Sequence, residues 1–116
     1  MELSARTVAG GGTAEVLVLS LRGESLDASN VAAFKESALA LSRGHPRVVL
    51  DMTGLQFVDS SGLGALISCL RQQNGQRGDL RLCHMSPAVR ALFELMRMDR
   101  VFRIFDRCDD AVASFA

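Results

Sequence analysis

Arg47-Val48-Val49-Leu50-Asp51-Met52-Thr53-Gly54-Leu55-Gln56-Phe57-Val58-Asp59-Ser60-Ser61-Gly62-Leu63-Gly64-Ala65-Leu66-Ile67-Ser68-Cys69-Leu70 reads as a strand, a short loop and a helix. Val48-Val49-Leu50 is a short apolar, β-branched run of the kind that forms a buried strand. Thr53-Gly54 breaks it, and Leu55, Phe57 and Val58 carry the chain back into apolar surroundings. A helix is expected from about Asp59-Ser60-Ser61. Its apolar residues Leu63, Leu66, Ile67 and Leu70 recur at i, i+3, i+4 and i+7, the spacing of one helix face.

The start of that helix carries the chemistry. Asp59, Ser60 and Ser61 can each accept hydrogen bonds from the free N–H groups of a first turn. Gly62 and Gly64 are poor helix formers placed in the first turns, where a missing Cβ lowers the steric cost of another surface approaching the backbone. A hydroxyl there also lies where a phosphate would meet free N–H groups and the helix dipole, although Asp59 next door opposes it by like charge. From the residues alone a plain N-cap is the simpler account, because Ser and Asp caps are common.

Outward from this stretch, residues 2–8 form a first strand and Glu15-Val16-Leu17-Val18-Leu19-Ser20-Leu21 a second. The glycine turn Ala9-Gly10-Gly11-Gly12-Thr13 between them predicts a hairpin, since a short link joins antiparallel neighbours. No Lys-Ser/Thr follows the glycines and a strand comes next, which argues against a phosphate loop. After the loop Gly23-Glu24-Ser25, a helix is expected over Asp27 to Ser42. Val31, Phe34, Ala38 and Leu41 share its face, with Asp27 or Ser29 as cap and Arg43-Gly44-His45-Pro46 as its end. Beyond the central helix come a polar turn at 74–79, a strand at Leu80-Arg81-Leu82-Cys83 and a helix opened by Ser86 and Pro87. Val89, Leu92, Phe93 and Met96 sit at core spacing in that helix, while Leu95 and Met98 fall off its face and could meet a partner. A strand at Val101-Phe102-Arg103-Ile104-Phe105 and a final helix within 106–116, with Ala111, Val112 and Phe115 inward, close the chain. The pattern ββαβαβαβα predicts a single α/β domain over residues 1–116, with a mixed, mostly parallel sheet of about five strands and about four helices.

The chain has 116 residues, enough for one core, and 48% are apolar, which argues against disorder. Its 13 basic and 13 acidic residues balance, and neither a basic stripe for nucleic acid nor a polybasic membrane segment is present. Apolar runs are strand-sized, and Met1-Glu2-Leu3-Ser4-Ala5-Arg6 has no signal-peptide core. Cys69, Cys83 and Cys108 are odd in number and widely spaced. Without a CxxC pair they support neither a disulfide framework nor a zinc site, and a reduced, cytoplasmic setting is expected. His45 has no Cys, Asp or Glu at ligand spacing, and His84 beside a strand end is more often hydrogen-bonded than a ligand. Asp51 and Asp59 could be imagined as a metal pair, but Asp51 closes a strand and a structural role is the plainer reading. Ser60-Ser61-Gly62 is not a nucleophile elbow, so no catalytic residue, metal or cofactor is expected and the chain reads as a binding module rather than an enzyme.

Phe57-Val58-Asp59-Ser60-Ser61-Gly62-Leu63-Gly64 resembles the phosphorylation motif of the STAS domain family, in its anti-sigma-factor-antagonist branch. There the motif runs as an apolar pair, Asp-Ser-(Ser/Thr)-Gly, then Leu/Ile-Gly, and the phosphorylated residue is the Ser directly after Asp. By position the resemblance implies phosphorylation of Ser60, with Asp59, Ser61, Gly62, Leu63 and Gly64 on the partner surface. The family's Gly-Glu-Leu/Ile-Asp loop corresponds to Gly23-Glu24-Ser25-Leu26-Asp27, one residue longer here. Asp27 thus falls at an acidic position of the partner surface, or serves only as a cap. Ser86-Pro87-Ala88-Val89-Arg90-Ala91-Leu92-Phe93 extends the resemblance.

What the resemblance implies is an anti-sigma factor antagonist in a partner-switching pathway. Its partners would be an anti-sigma factor that is also a serine kinase, and a serine phosphatase. The alternative is a constitutive STAS docking subunit of a lipid-transport or other multi-protein complex. Such relatives often lack the Asp-Ser pair that this chain keeps. A nucleotide-binding domain finds no support, because neither a phosphate loop nor a ribose-binding acid is at the right spacing.

Overall fold

The segment EVLVLSLR sends Leu17, Leu19 and Leu21 to one face of a strand and Val16 and Val18 to the other, and all five are buried. A strand apolar on both faces belongs inside a sheet covered on both sides. The structure, a computed structural model, describes residues 2–10 and 15–115. Along the chain run β1 (Glu2–Ala9), β2 (Glu15–Arg22), β3 (Ser25–Leu26), α1 (Val31–Ser42), β4 (Arg47–Asp51), β5 (Phe57–Val58), α2 (Ser60–Gly75), β6 (Asp79–Cys83), α3 (Pro87–Leu95), a 3₁₀ turn (Met98–Arg100), β7 (Arg103–Phe105) and α4 (Cys108–Ala113).

The main sheet has the order β1-β2-β4-β6-β7. β1 is antiparallel to β2, from Glu2 opposite Arg22 to Ala9 opposite Glu15, as the hairpin reading requires. The glycine turn itself falls largely outside the described residues. Every other pairing in this sheet is parallel, so the sheet is mixed and mostly parallel, with four α-helices among the described residues.

Helices cover both faces. Leu17, Leu19, Val48, Leu50, Leu80 and Leu82 join Phe34 of α1, Leu66 of α2 and Phe93 of α3 in one core. Full burial of side chains such as Phe34, Leu66 and Phe93 contributes about 1.5–3 kcal/mol each. On the opposite face Val16, Val18, Val49 and Cys83 pack against Cys108, Ala111 and Phe115 at α4. The split of Phe105 and Ile104 between the two cores follows the alternation expected of the last strand.

Several expectations need correction. α1 begins at Val31 rather than at Asp27, and its N-cap residue, Asn30, makes no side-chain cap bond. Asp27 instead builds the preceding turn. Leu41 is 39% exposed, and Ser42 takes the buried place at the end of α1, with its hydroxyl donating to the Ala38 carbonyl at 2.6 Å. α2 runs on to Gly75, so Asn74 and Gly75 are helical rather than part of a turn. α3 stops at Leu95, leaving Met96 as its C-cap and 47% exposed, while Met98 on the following turn packs against the core. Helical spacing placed Met96 inside, but the helix ends before it, and Arg97 at φ 57 turns the chain away directly after it. Cys83 and Cys108 form a disulfide, where the spacing of the three cysteines gave no support for one. Sequence spacing hid the pair because the end of β6 and the start of α4 meet only in the folded chain. Cys69 is the free, buried thiol, and burial pushes its pKa up to about 11 against a weak opposing pull from Lys35.

Candidate functional site at the start of the second helix

Two short strands place the site. β3 pairs parallel with β5, Ser25 with Phe57 and Leu26 with Val58. Around this ladder Gln56 and Phe57 donate their N–H groups to the Glu24 carbonyl, and Asp59 N–H donates to the Leu26 carbonyl at 3.2 Å. Leu26 and Val58 anchor the ladder in the core, 0% and 1% exposed. The loop before α1 and the entry to α2 are therefore held as one piece. Two-residue strands are too short for any periodicity to reveal, and the sequence reading missed β3.

Asp59 is the N-cap of α2. Its Oδ1 accepts from Gly62 N–H at 2.9 Å and from the Ser61 hydroxyl at 2.6 Å, and its Oδ2 accepts from Ala28 N–H at 3.1 Å. The Ser61 hydroxyl and then the Gly62 N–H hold the carboxyl below its usual pKa; burial opposes them, and the Ala28 N–H adds a smaller lowering. Across the ladder, Asp27 accepts from the Ser29 hydroxyl and N–H at Oδ1 and from the Ser25 hydroxyl at Oδ2. The Ser29 and Ser25 hydroxyls lower its pKa, while burial and the Asp59 charge oppose them. The two carboxylates face the same surface and repel one another.

Ser60, the first residue of α2, is exposed, and Ser61 beside it is half-buried and committed to Asp59. Gly62 is buried, and a Cβ there would lie 2.6 Å from the Leu26 carbonyl oxygen and 2.9 Å from Val58 Cγ1. Its missing side chain lets α2 sit on the chain's own β3–β5 ladder. Leu63 is 5% exposed and belongs to the core. Gly64 is exposed, with nothing within 4 Å of where its Cβ would stand. Phe57, on the strand leading into the helix, is 54% exposed. The surface offers one free hydroxyl and one open glycine, with a bare aromatic ring on the adjoining strand and fixed negative charge at the helix cap.

A second polar feature escaped the sequence reading. Gln73 of α2, 1% exposed, donates to the His45 carbonyl, and Gln72 donates to the Ser42 hydroxyl at 2.8 Å. This network locks the end of α2 to the end of α1. No helix among the described residues is long and apolar enough to cross a membrane. The potential metal ligands Asp51, Cys83, His84 and Cys108 converge elsewhere, around the end of β6.

Residues 11–111 match the model of the STAS domain family, and the chain belongs to that family. BtrV of Bordetella bronchiseptica, a candidate anti-sigma factor antagonist, is 30% identical to it over 100 residues, covering 86% of each chain. The anti-sigma F factor antagonist of Paenibacillus polymyxa is 30% identical over 93 residues, covering 78% of this chain and 79% of the relative. The anti-sigma factor antagonist SpoIIAA, solved in its unphosphorylated form, matches with a TM-score of 0.65 at 19% identity over 94% of this chain and 92% of its own. The phosphorylated form of SpoIIAA, a Bacillus cell fate determinant, matches with a TM-score of 0.57 at 20% identity over 90% and 93%. At those identities the likeness to SpoIIAA shows the fold.

Proposed function

We propose that the chain, read as one STAS domain over residues 1–116, is an anti-sigma factor antagonist switched by phosphorylation of Ser60. The observation that carries this reading is the contrast between the two serines. Ser60 presents an exposed side chain at the first position of α2, while the Ser61 hydroxyl donates to Asp59. Relatives named as anti-sigma factor antagonists, and a fold neighbour described in both unphosphorylated and phosphorylated forms, support it.

In the unphosphorylated state, the surface formed by Asp27, Asp59, Ser61, Gly64 and the exposed start of α2 binds an anti-sigma factor that is also a serine kinase, and a client is released. Gly62 and Leu63 act from beneath by seating the helix. The kinase transfers the γ-phosphoryl group of ATP to the Ser60 hydroxyl. The phosphate adds about −1.5 to −2 charges at pH 7, beside Asp59 and within a contact that excludes water. The helix dipole accommodates it locally, so the domain keeps its fold while the interface is lost. A phosphatase restores the binding form.

Intact-mass measurement with site mapping tests this, after incubation with ATP and the serine kinases of the same genome that resemble anti-sigma factors. One phosphate on Ser60, absent from Ser60→Ala and retained in Ser61→Ala, is the expected result. No phosphate from any of those kinases, or one mapped to Ser61, would overturn the assignment.

A further inference from the structure

Four side chains capable of binding a metal converge at the carboxyl end of the central strands, on the sheet face that carries α4. Asp51 ends β4, and its register partner on the neighbouring strand is Cys83, which ends β6. His84 follows directly, and Cys108 opens α4. The ligand atoms of these four residues all lie within 4.8 Å of one another. The His84 Nδ1 is 3.1 Å from Asp51 Oδ1, and its Nε2 accepts from Cys108 N–H at 3.4 Å. His84 holds φ 56, a left-handed conformation that turns the ring back over the strand end. Thr53 fixes the carboxylate, with its N–H and hydroxyl both donating to Asp51 Oδ1. In the structure Cys83 and Cys108 are joined as a disulfide.

We propose that, when this disulfide is reduced, Cys83, Cys108, His84 and Asp51 form a tetrahedral site for a divalent cation of the zinc class, so that the pair is a redox-gated metal site. Two thiolates, an imidazole and a carboxylate suit Zn²⁺, whereas Mg²⁺ and Ca²⁺ require oxygen ligands. With Zn–S about 2.3 Å and Zn–N or Zn–O about 2.0–2.2 Å, the edges of a ligand tetrahedron measure roughly 3.3–3.8 Å. The His84–Asp51 separation of 3.1 Å is already close to such an edge. The two sulfurs need only part by less than about 2 Å, within reach of side-chain rotation. The sulfurs are shielded, with Cys83 0% and Cys108 7% exposed. The His84 side chain is 40% exposed and leaves a path for the ion.

The chemistry balances. A thiol reductant gives two electrons and two protons to the S–S bond, is itself oxidised to its disulfide, and leaves two protein thiols. Zn²⁺ binding displaces both thiol protons to solvent. Oxidation by a disulfide oxidant withdraws two electrons from the thiolates, reforms the S–S bond and releases the ion.

The test uses the full chain, reduced and then desalted without oxygen in the presence of Zn²⁺, with bound metal counted by elemental analysis. One zinc per reduced chain and none per oxidised chain is expected. Cobalt in its place should give thiolate-to-metal charge-transfer absorption and the visible bands of a tetrahedral site. His84→Ala, a change at an exposed side chain, should weaken zinc binding by at least about 100-fold, because even residues that only orient ligands are worth 10–100-fold. Cys69→Ser should bind as wild type does. Circular dichroism of each variant separates lost binding from lost folding. A reduced, folded chain that retains no zinc, or a folded His84→Ala that retains it at wild-type affinity, would overturn the proposal.

Discussion

The start of α2, beside the β3–β5 ladder, and the end of β6, in the middle of the main sheet, are both candidate sites at strand ends, yet they are assembled differently. Asp59, Ser60, Ser61, Gly62 and Gly64 are almost consecutive, and helix geometry alone brings them together. Asp51, Cys83, His84 and Cys108 come from three separate stretches, and only the pairing of β4 with β6 and the packing of α4 unite them. The first kind of site can be read along the chain. The second becomes visible only once strand order is known, because sequence proximity carries no information about which strand ends become neighbours.

Charge at the first site gives the largest effect that could break this comparison. Ser60→Asp should weaken binding to the cognate anti-sigma factor by about 100-fold or more, since each 1.4 kcal/mol lost is tenfold, and Ser60→Ala should bind without regulation. Titration calorimetry measures both, and equal affinities for Ser60→Asp and wild type would leave the electrostatic switch without support.

Smaller effects test how locally the site is built. Gly62→Ala forces a methyl group against the Leu26 carbonyl and should cost about 1–3 kcal/mol of stability in denaturant unfolding, as overpacking does. Gly64→Ala, two residues further on, meets open space and should stabilise the fold by about 0.5–1 kcal/mol through helix propensity, while weakening partner binding. Similar costs for both would show that the two glycines do not differ as proposed.

The smallest effect concerns pH. The Asp59 carboxyl is held below its ordinary value of 3.8, first by the Ser61 hydroxyl and then by the Gly62 N–H. A depressed folded-state pKa gives stability that is complete above the unfolded value and is lost as the pH falls through the folded one. The melting temperature should therefore drop below about pH 4, and less steeply in Asp59→Asn. Parallel curves for the two proteins would assign the acid sensitivity to other carboxylates, Asp27 among them.

Much of the architecture was legible because periodicity reports burial. The apolar run of β2, the i, i+3, i+4, i+7 face of α2 and the Ser86-Pro87 opening of α3 are each where their patterns place them. Boundaries and exceptions were not. Asp27 has the chemistry of a cap but spends it on a turn with Ser25 and Ser29. Met96 keeps the helical spacing after the helix has ended. Ser42 and Gln73 are polar residues in buried places, satisfied by partners some thirty residues away, and no pattern of apolar residues could have marked them. At the site, resemblance to the family motif singled out Ser60, whereas the commitment of the Ser61 hydroxyl to Asp59 came only from the structure. The reason Gly62 is glycine came only from the β3–β5 ladder, which presses the Leu26 carbonyl against the first turn of α2.

That ladder also bears on timing. Because backbone hydrogen bonds clip Glu24 and Leu26 to Gln56, Phe57 and Asp59, the proposed recognition face exists before any partner arrives, and an encounter forfeits little entropy to ordering. Association then runs at the speed of diffusion and orientation rather than waiting on a rearrangement. In the proposed switch the lifetime of each state is set by the kinase and phosphatase, which would make the domain a passive timer wound from outside.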